Sequence, residues 1–130
     1  SVGFQQQQTL DQYALCNLKM AECHLETGAL NQCMSQARNT LEYITDVLPQ
    51  EKVLQLRAQL LLGEAYLKAG RNDLAMETLT DAEQSLPDPT DLSAAECYND
   101  LGVVYWNNKN KETAKSYHER ALKIRKARLE

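Results

Sequence analysis

Four side chains near the start of the chain have the right chemistry to hold a soft metal ion: Cys16, Cys23, His24 and Cys33. Thiolates and a neutral imidazole are the usual ligands of a structural zinc. Their spacing argues against it. Cys16 and Cys23 stand seven residues apart, Cys33 lies beyond Gly28, and neither a C-x-x-C pair nor two His at ligand spacing occurs. His118 stands alone, and we find no Ser/His/Asp or Cys/His set, no glycine-rich phosphate loop and no close pair of carboxylates. The sequence therefore points to no enzyme, no cofactor and no metal. The last pattern with chemical potential is a basic run: Lys111, Lys115, Arg120, Lys123, Arg125, Lys126 and Arg128. It could touch nucleic acid or an acidic partner, but only Tyr117 is interleaved as a stacking aromatic. A solvated charged helix face is the better account of it.

Composition narrows the class. Hydrophobic residues make up 43% and charged residues 25%, which is globular. No apolar run is long enough to span a membrane, and no basic-then-apolar start resembles a signal peptide. The chain opens Ser1-Val2-Gly3-Phe4 without an initiator Met, so we expect a fragment of a longer protein. Four Cys in a helical pattern suggest a reducing, intracellular setting, cytoplasmic or nuclear, rather than a disulfide framework. The net charge is −4, unevenly spread: residues 109–130 hold eight Lys/Arg against three Glu, and residues 1–108 hold six against fifteen acidic groups.

Apolar residues recur at helical spacing throughout, and no strand-like alternation occurs. Thr9-Leu10-Asp11-Gln12 reads as a capping box opening a first helix, which Gly28 stops. A second helix runs from about Leu30 to Leu48, closed by Pro49. A third spans roughly Glu51 to Ala69 and a fourth Asn72 to Leu86, with Gly70 between them. Asp88-Pro89-Thr90-Asp91 supplies a turn and a cap; a fifth helix reaches Trp106 and a sixth runs from Lys111 almost to the end.

The hairpins align. Gly63 corresponds to Gly102 and Ala21, Tyr66 to Tyr105 and His24, Ala75 to Ala114 and Cys33, and Ala82 to Ala121. In this register Cys16 falls in a column with Ala58 and Cys97, and Cys23 with Ala65 and Val104. The cysteines are thus expected as small packing residues. A unit of about 40 residues cannot bury its own apolar face and must stack on neighbours. We expect an all-α, right-handed α-solenoid of three antiparallel hairpins. Its divisions would be a tail at 1–8, a degenerate repeat at 9–49, a second at 50–89 and a third at 90–130.

Leu62-Gly63-x-x-Tyr66 with Ala75, Leu79, Ala82 and Pro87 resembles the tetratricopeptide repeat (TPR), and Leu101-Gly102-x-x-Tyr105 with Ala114 and Ala121 resembles it again. The long period is similar to that of kinesin light chains and Pins-type adaptors. The resemblance implies a concave groove lined by the first helix of each hairpin. Transferred position by position, it places Leu18, Glu22, Leu25 and Glu26 there from the first copy and Arg57, Leu60, Glu64, Leu67 and Lys68 from the second. The third gives Glu96, Asn99, Val103 and Trp106. One TPR subclass grips a partner's C-terminal carboxylate with Lys and Asn. Leu18, Glu22, Leu60, Glu64, Asn99 and Val103 occupy the matching positions here, so that clamp is missing.

What remains is an apolar strip (Leu18, Leu25, Leu60, Leu67, Trp106) edged by Glu22, Glu26, Glu64 and Glu96. It would suit a protein segment with apolar anchors and basic residues. Trp106 reads either as an anchor or as packing for a neighbouring repeat. The implied function is a non-enzymatic adaptor or scaffold; the alternatives are a spacer within a longer superhelix, or a contact through the basic last helix. Self-association through apolar end faces is also open.

Overall fold

The computed structural model describes residues 3–129 and contains six helices in chain order. They are α1 (Phe4–Glu26), α2 (Leu30–Val47), α3 (Lys52–Lys68), α4 (Asn72–Gln84), α5 (Leu92–Asn107) and α6 (Lys111–Leu129). No strand forms among the described residues, and none of their helices is long and apolar enough to cross a membrane. Consecutive helices pack pairwise as antiparallel hairpins. Beyond those pairs, α1 packs on α3 and α3 on α5, whereas the backbones of α2, α4 and α6 stay apart from one another, with α4 and α6 meeting through side chains. The odd-numbered helices therefore form an inner row and the even-numbered helices an outer one, which is a solenoid.

Each hairpin turn repeats one set of backbone bonds. Ala29 donates to the His24 carbonyl, Arg71 to Tyr66 and Asn110 to Tyr105, at 2.8, 2.8 and 2.9 Å. One residue earlier, Gly28, Gly70 and Lys109 donate three residues back at 3.2, 3.1 and 2.9 Å. This pair of bonds closes a helix C-terminus only when the residue after the cap is left-handed. Gly28 and Gly70 supply that conformation (φ 82° and 75°) without a Cβ penalty; the third copy forces Lys109 into it at φ 63°.

Within each hairpin a second glycine sets how close the helices come. A Cβ on Gly63 would stand 2.7 Å from Leu79 Cδ2, and one on Gly102 would stand 2.6 Å from the His118 ring. Leu79 is fully buried, so it has no room to retreat. Ala75, Ala82, Ala114 and Ala121 are the small residues on the opposing helices, each buried. The main core runs through all three hairpins, from Ala21 and Leu25 by way of Leu56, Leu60 and Tyr66 to Leu101 and Val104. Burying Leu79 or Leu101 completely is worth roughly 1.5–3 kcal/mol each, several times an exposed ion pair.

Polar ties cross between hairpins. Arg38 donates to the Tyr66 hydroxyl at 3.0 Å, and Tyr117 to Glu83 at 3.0 Å. The Asn72 and Asn108 carboxamides meet at 2.8 Å. Arg120 pairs with Glu83 of the preceding hairpin at 3.6 Å and, within its own hairpin, lies over the Tyr98 ring, 4.2 Å from its centroid.

The coordinates correct several sequence-level expectations. The first helix starts at Phe4, so Thr9 is no cap: it lies inside α1 and its hydroxyl donates to the Gln5 carbonyl. Residues 4–8 are helical rather than a tail, while Ser1 and Val2 lie outside the described residues. The cap at Asp91 does form, accepting from the Ala94 amide at 3.0 Å. Cys33 and Cys97 are buried as the columns require, and burial drives the Cys97 thiol up to about 12. Cys16 and Cys23 are exposed, although Ala58, Ala65 and Val104 in their columns are fully buried. Those columns on α3 and α5 face the preceding hairpin. Among the described residues α1 has none to face.

Replacing Lys109 with Gly is expected to stabilise the fold by about 1 kcal/mol, because it removes a left-handed side-chain residue. Gly63→Val is expected to cost about 2 kcal/mol by overpacking against Leu79. Urea unfolding followed by circular dichroism checks both.

Candidate partner-binding groove

The inner row encloses a cavity of about 370 Å³ bordered by three helices from three hairpins. Helix α1 contributes Glu22, Leu25 and Glu26; α3 contributes Arg57, Leu60, Leu61, Glu64 and Lys68; α5 contributes Ser93 and Glu96. Eight of the thirteen residues expected in a groove, Glu96 among them, are thus brought together. The spacing explains the gathering. Glu22 and Glu26 are four apart on α1, and Arg57, Leu60, Glu64 and Lys68 follow at three and four on α3, so each set shares one helix face.

The other five residues lie elsewhere. Leu18 is fully buried among Ala14, Ile44, Leu48 and Ala58, so it belongs to the core and not to the groove. Leu60, in the same column, is also buried, at 3% exposure, but it borders the cavity. Leu67 is half-buried against the main core. Asn99 turns toward α6, with Oδ1 at 3.2 Å from His118 Nδ1. Val103 is half-buried. Trp106 is 57% exposed at the end of α5, where the Lys111 ammonium lies 5.3 Å from its ring centroid, and it does not border the cavity. The expected apolar strip is accordingly short: Leu25 and Leu60 form a buried floor, and charge dominates the walls.

The walls carry four carboxylates and two cations. Arg57 reaches across from α3 to Glu22 at 3.6 Å, and Lys68 pairs with Glu64 at 3.8 Å within α3. These are partly exposed pairs of small energy. No salt bridge to Glu26 or Glu96 forms among the described residues. The groove keeps a net negative balance.

Where the sequence showed no close carboxylates, the fold assembles them. One carboxylate oxygen from each of Glu64, Glu96 and Asp100 lies within 4.8 Å of the others. Asp100 is 8% exposed, and its Oδ2 is buried without a hydrogen-bond partner. Burial first, then the charges of Glu64 and Glu96, push the Asp100 carboxyl up to about 7, against a smaller opposing contribution from the Asn99 side chain. Glu96, although largely open to solvent, is raised in the same direction, by partial desolvation and then by Glu64. Asp100 was absent from the sequence-level candidates. Its position four residues after Glu96 on the groove face was the available signal.

A wider cavity of about 610 Å³ opens between α1 and α2, bordered by carboxamides and hydroxyls including Asn17, Gln32, Gln36 and Thr40. His24 borders it, as do Tyr13 and Tyr43, whose rings meet edge-on at 5.2 Å. It draws on one hairpin only and is bordered by no carboxylate, Lys or Arg. The basic last helix is partly committed to its own fold. Arg120 is held by Glu83 and two tyrosines, Lys115 pairs with Glu119, and Arg128 donates to the Thr90 carbonyl.

Comparison with known proteins agrees with this fold. Family models described as tetratricopeptide repeat match residues 56–85 and residues 94–130, in the second and third hairpins. No curated protein matches the sequence. Among solved structures, the TPR domain of Arabidopsis FLU superposes with a TM-score of 0.78 over 92% of this chain and 97% of that one. The two share 16% sequence identity, so the likeness is one of fold.

The raised Asp100 carboxyl has a consequence for stability. Its folded value lies above the ordinary 3.8, so the folded state holds the proton more tightly than the unfolded chain. The contribution of Asp100 to stability is therefore fully present below about 4 and is lost as pH rises through about 7. The wild type is expected to be more stable to urea at pH 5.5 than at pH 8, and Asp100→Asn to lose most of that difference, on the order of 1–3 kcal/mol.

Proposed function

Because this chain belongs to the tetratricopeptide repeat family, we propose that it works as an adaptor, holding a segment of another protein in the groove between α1, α3 and α5. Repeats of this family generally mediate protein–protein interaction. The observation that carries the finer reading is the excess of carboxylates over cations on walls drawn from three successive hairpins. Glu26 and Glu96, without salt-bridge partners among the described residues, suit a partner segment bearing Lys or Arg, and the short Leu25–Leu60 floor suits one small apolar anchor. An extended segment or a single helix fits such a channel. Trp106 belongs to the edge of this surface at most. Four cysteines without a disulfide fit a reducing, intracellular compartment.

Charge reversal in both directions tests this reading. Glu26→Lys is expected to weaken partner capture about tenfold in low salt, and Lys68→Glu to strengthen it, with both effects shrinking as the Debye length falls. The melting temperature should move little, since both side chains are exposed. Capture by affinity pull-down followed by titration of the recovered partner gives the measurement. Equal capture by all three proteins would count against the groove and favour a spacer role.

A further inference from the structure

The carboxylates of Glu64, Glu96 and Asp100 stand closer together than a peptide-binding surface requires. Glu96 and Asp100 lie one turn apart on α5, and Glu64 faces them from α3. One oxygen from each lies within 4.8 Å of the other two. Carboxylates at that range repel one another when ionised, and no salt bridge to Glu96 or Asp100 forms among the described residues. The Lys68 ammonium meets only Oε2 of Glu64, from an exposed position. Asp100 adds an independent observation. Its side chain is more than nine-tenths buried and directed into the cluster, yet Oδ2 has no hydrogen-bond partner. A buried, unpartnered carboxylate oxygen is costly unless something positive or donating meets it.

We propose that Glu64, Glu96 and Asp100 form a binding site for a hard divalent cation of calcium size at the base of the groove. The ligand set is all oxygen, with no thiol or imidazole, which selects hard cations over zinc or copper. The dimensions agree. Calcium–oxygen bonds of about 2.4 Å let one ion bridge oxygens up to about 4.8 Å apart. Magnesium, with bonds of about 2.1 Å, a strict octahedron and reluctant dehydration, is less tolerant of an irregular set of three carboxylates. Glu64 and Glu96 border the open cavity, so an ion can enter from solvent and keep waters to complete its coordination. Three protein oxygens make a modest site, with affinity of about 10⁻⁴ to 10⁻³ M. The sequence-level search missed it because its ligands come from two helices and no local motif spells it. This inference does not rest on partner binding; it stands or falls by itself.

Isothermal titration of calcium into the chelator-stripped 130-residue chain tests it. Saturable binding of one ion is expected, with magnesium weaker. Asp100→Asn and Glu96→Gln should each weaken calcium at least about tenfold. The double variant Glu22→Gln/Glu26→Gln should retain affinity within about threefold, because those carboxylates sit outside the triad. Manganese should broaden amide resonances around residues 64 and 96–100 first. No saturable binding up to about 10 mM calcium overturns the site. So does equal binding by Glu96→Gln, or equal loss in the Glu22/Glu26 variant, which would reveal diffuse attraction to an acidic surface. Circular dichroism checks folding; should Asp100→Asn not fold, Glu96→Gln, altered at an exposed side chain, decides the matter.

Discussion

The contact of Gly63 with Leu79, repeated as Gly102 with His118, sets the architecture of this molecule. It fixes the distance between the two helices of a hairpin. With the backbones that close, Tyr66 is left buried and able to receive the Arg38 guanidinium from the hairpin before it. The same closeness confines each even-numbered helix to the outside of its own hairpin. The odd-numbered helices then touch one another and leave a channel between them. A groove is the geometric result of a small residue in the right place on two successive hairpins.

The channel's chemistry comes from residues that the packing does not use. Small and branched apolar side chains point into the stack; Glu22, Glu26, Glu64 and Glu96 take the remaining face of the same helices. Burial makes that face more than a solvated one. Asp100, partly roofed by its own helix and neighbours, has lost water without gaining a hydrogen-bond partner for Oδ2. Its carboxyl therefore rises to about 7, while Glu26 at the open edge is simply exposed. The groove has a wet acidic rim and a drier acidic base, and these suit different positive ligands.

Much of the fold was legible in the sequence, because repeats write it several times. Gly63, Tyr66, Ala75 and Ala82 report helix contacts whose residue types leave few alternatives, and Gly28 and Gly70 mark turns that need a left-handed residue. The third turn was harder to read, since Lys109 takes that conformation with a side chain. Column logic failed at the first helix. Cys16 and Cys23 share columns with buried residues but lack a preceding hairpin to bury them. It failed again at Leu18, which is buried among Ala14, Ile44, Leu48 and Ala58, although Leu60 in the same column borders the channel. The acidic triad was illegible for a different reason: proximity between α3 and α5 is a property of stacking, and a single sequence does not show which faces of two distant helices meet.

Amide hydrogen exchange of the chain, with and without a captured partner, tests the central claim most directly, namely that the groove between the odd-numbered helices is the working surface. Added protection is expected on the groove-facing turns of α1, α3 and α5, around residues 22–26, 57–68 and 93–96. Protection confined to α2 or α4, or to the basic face of α6, would contradict it.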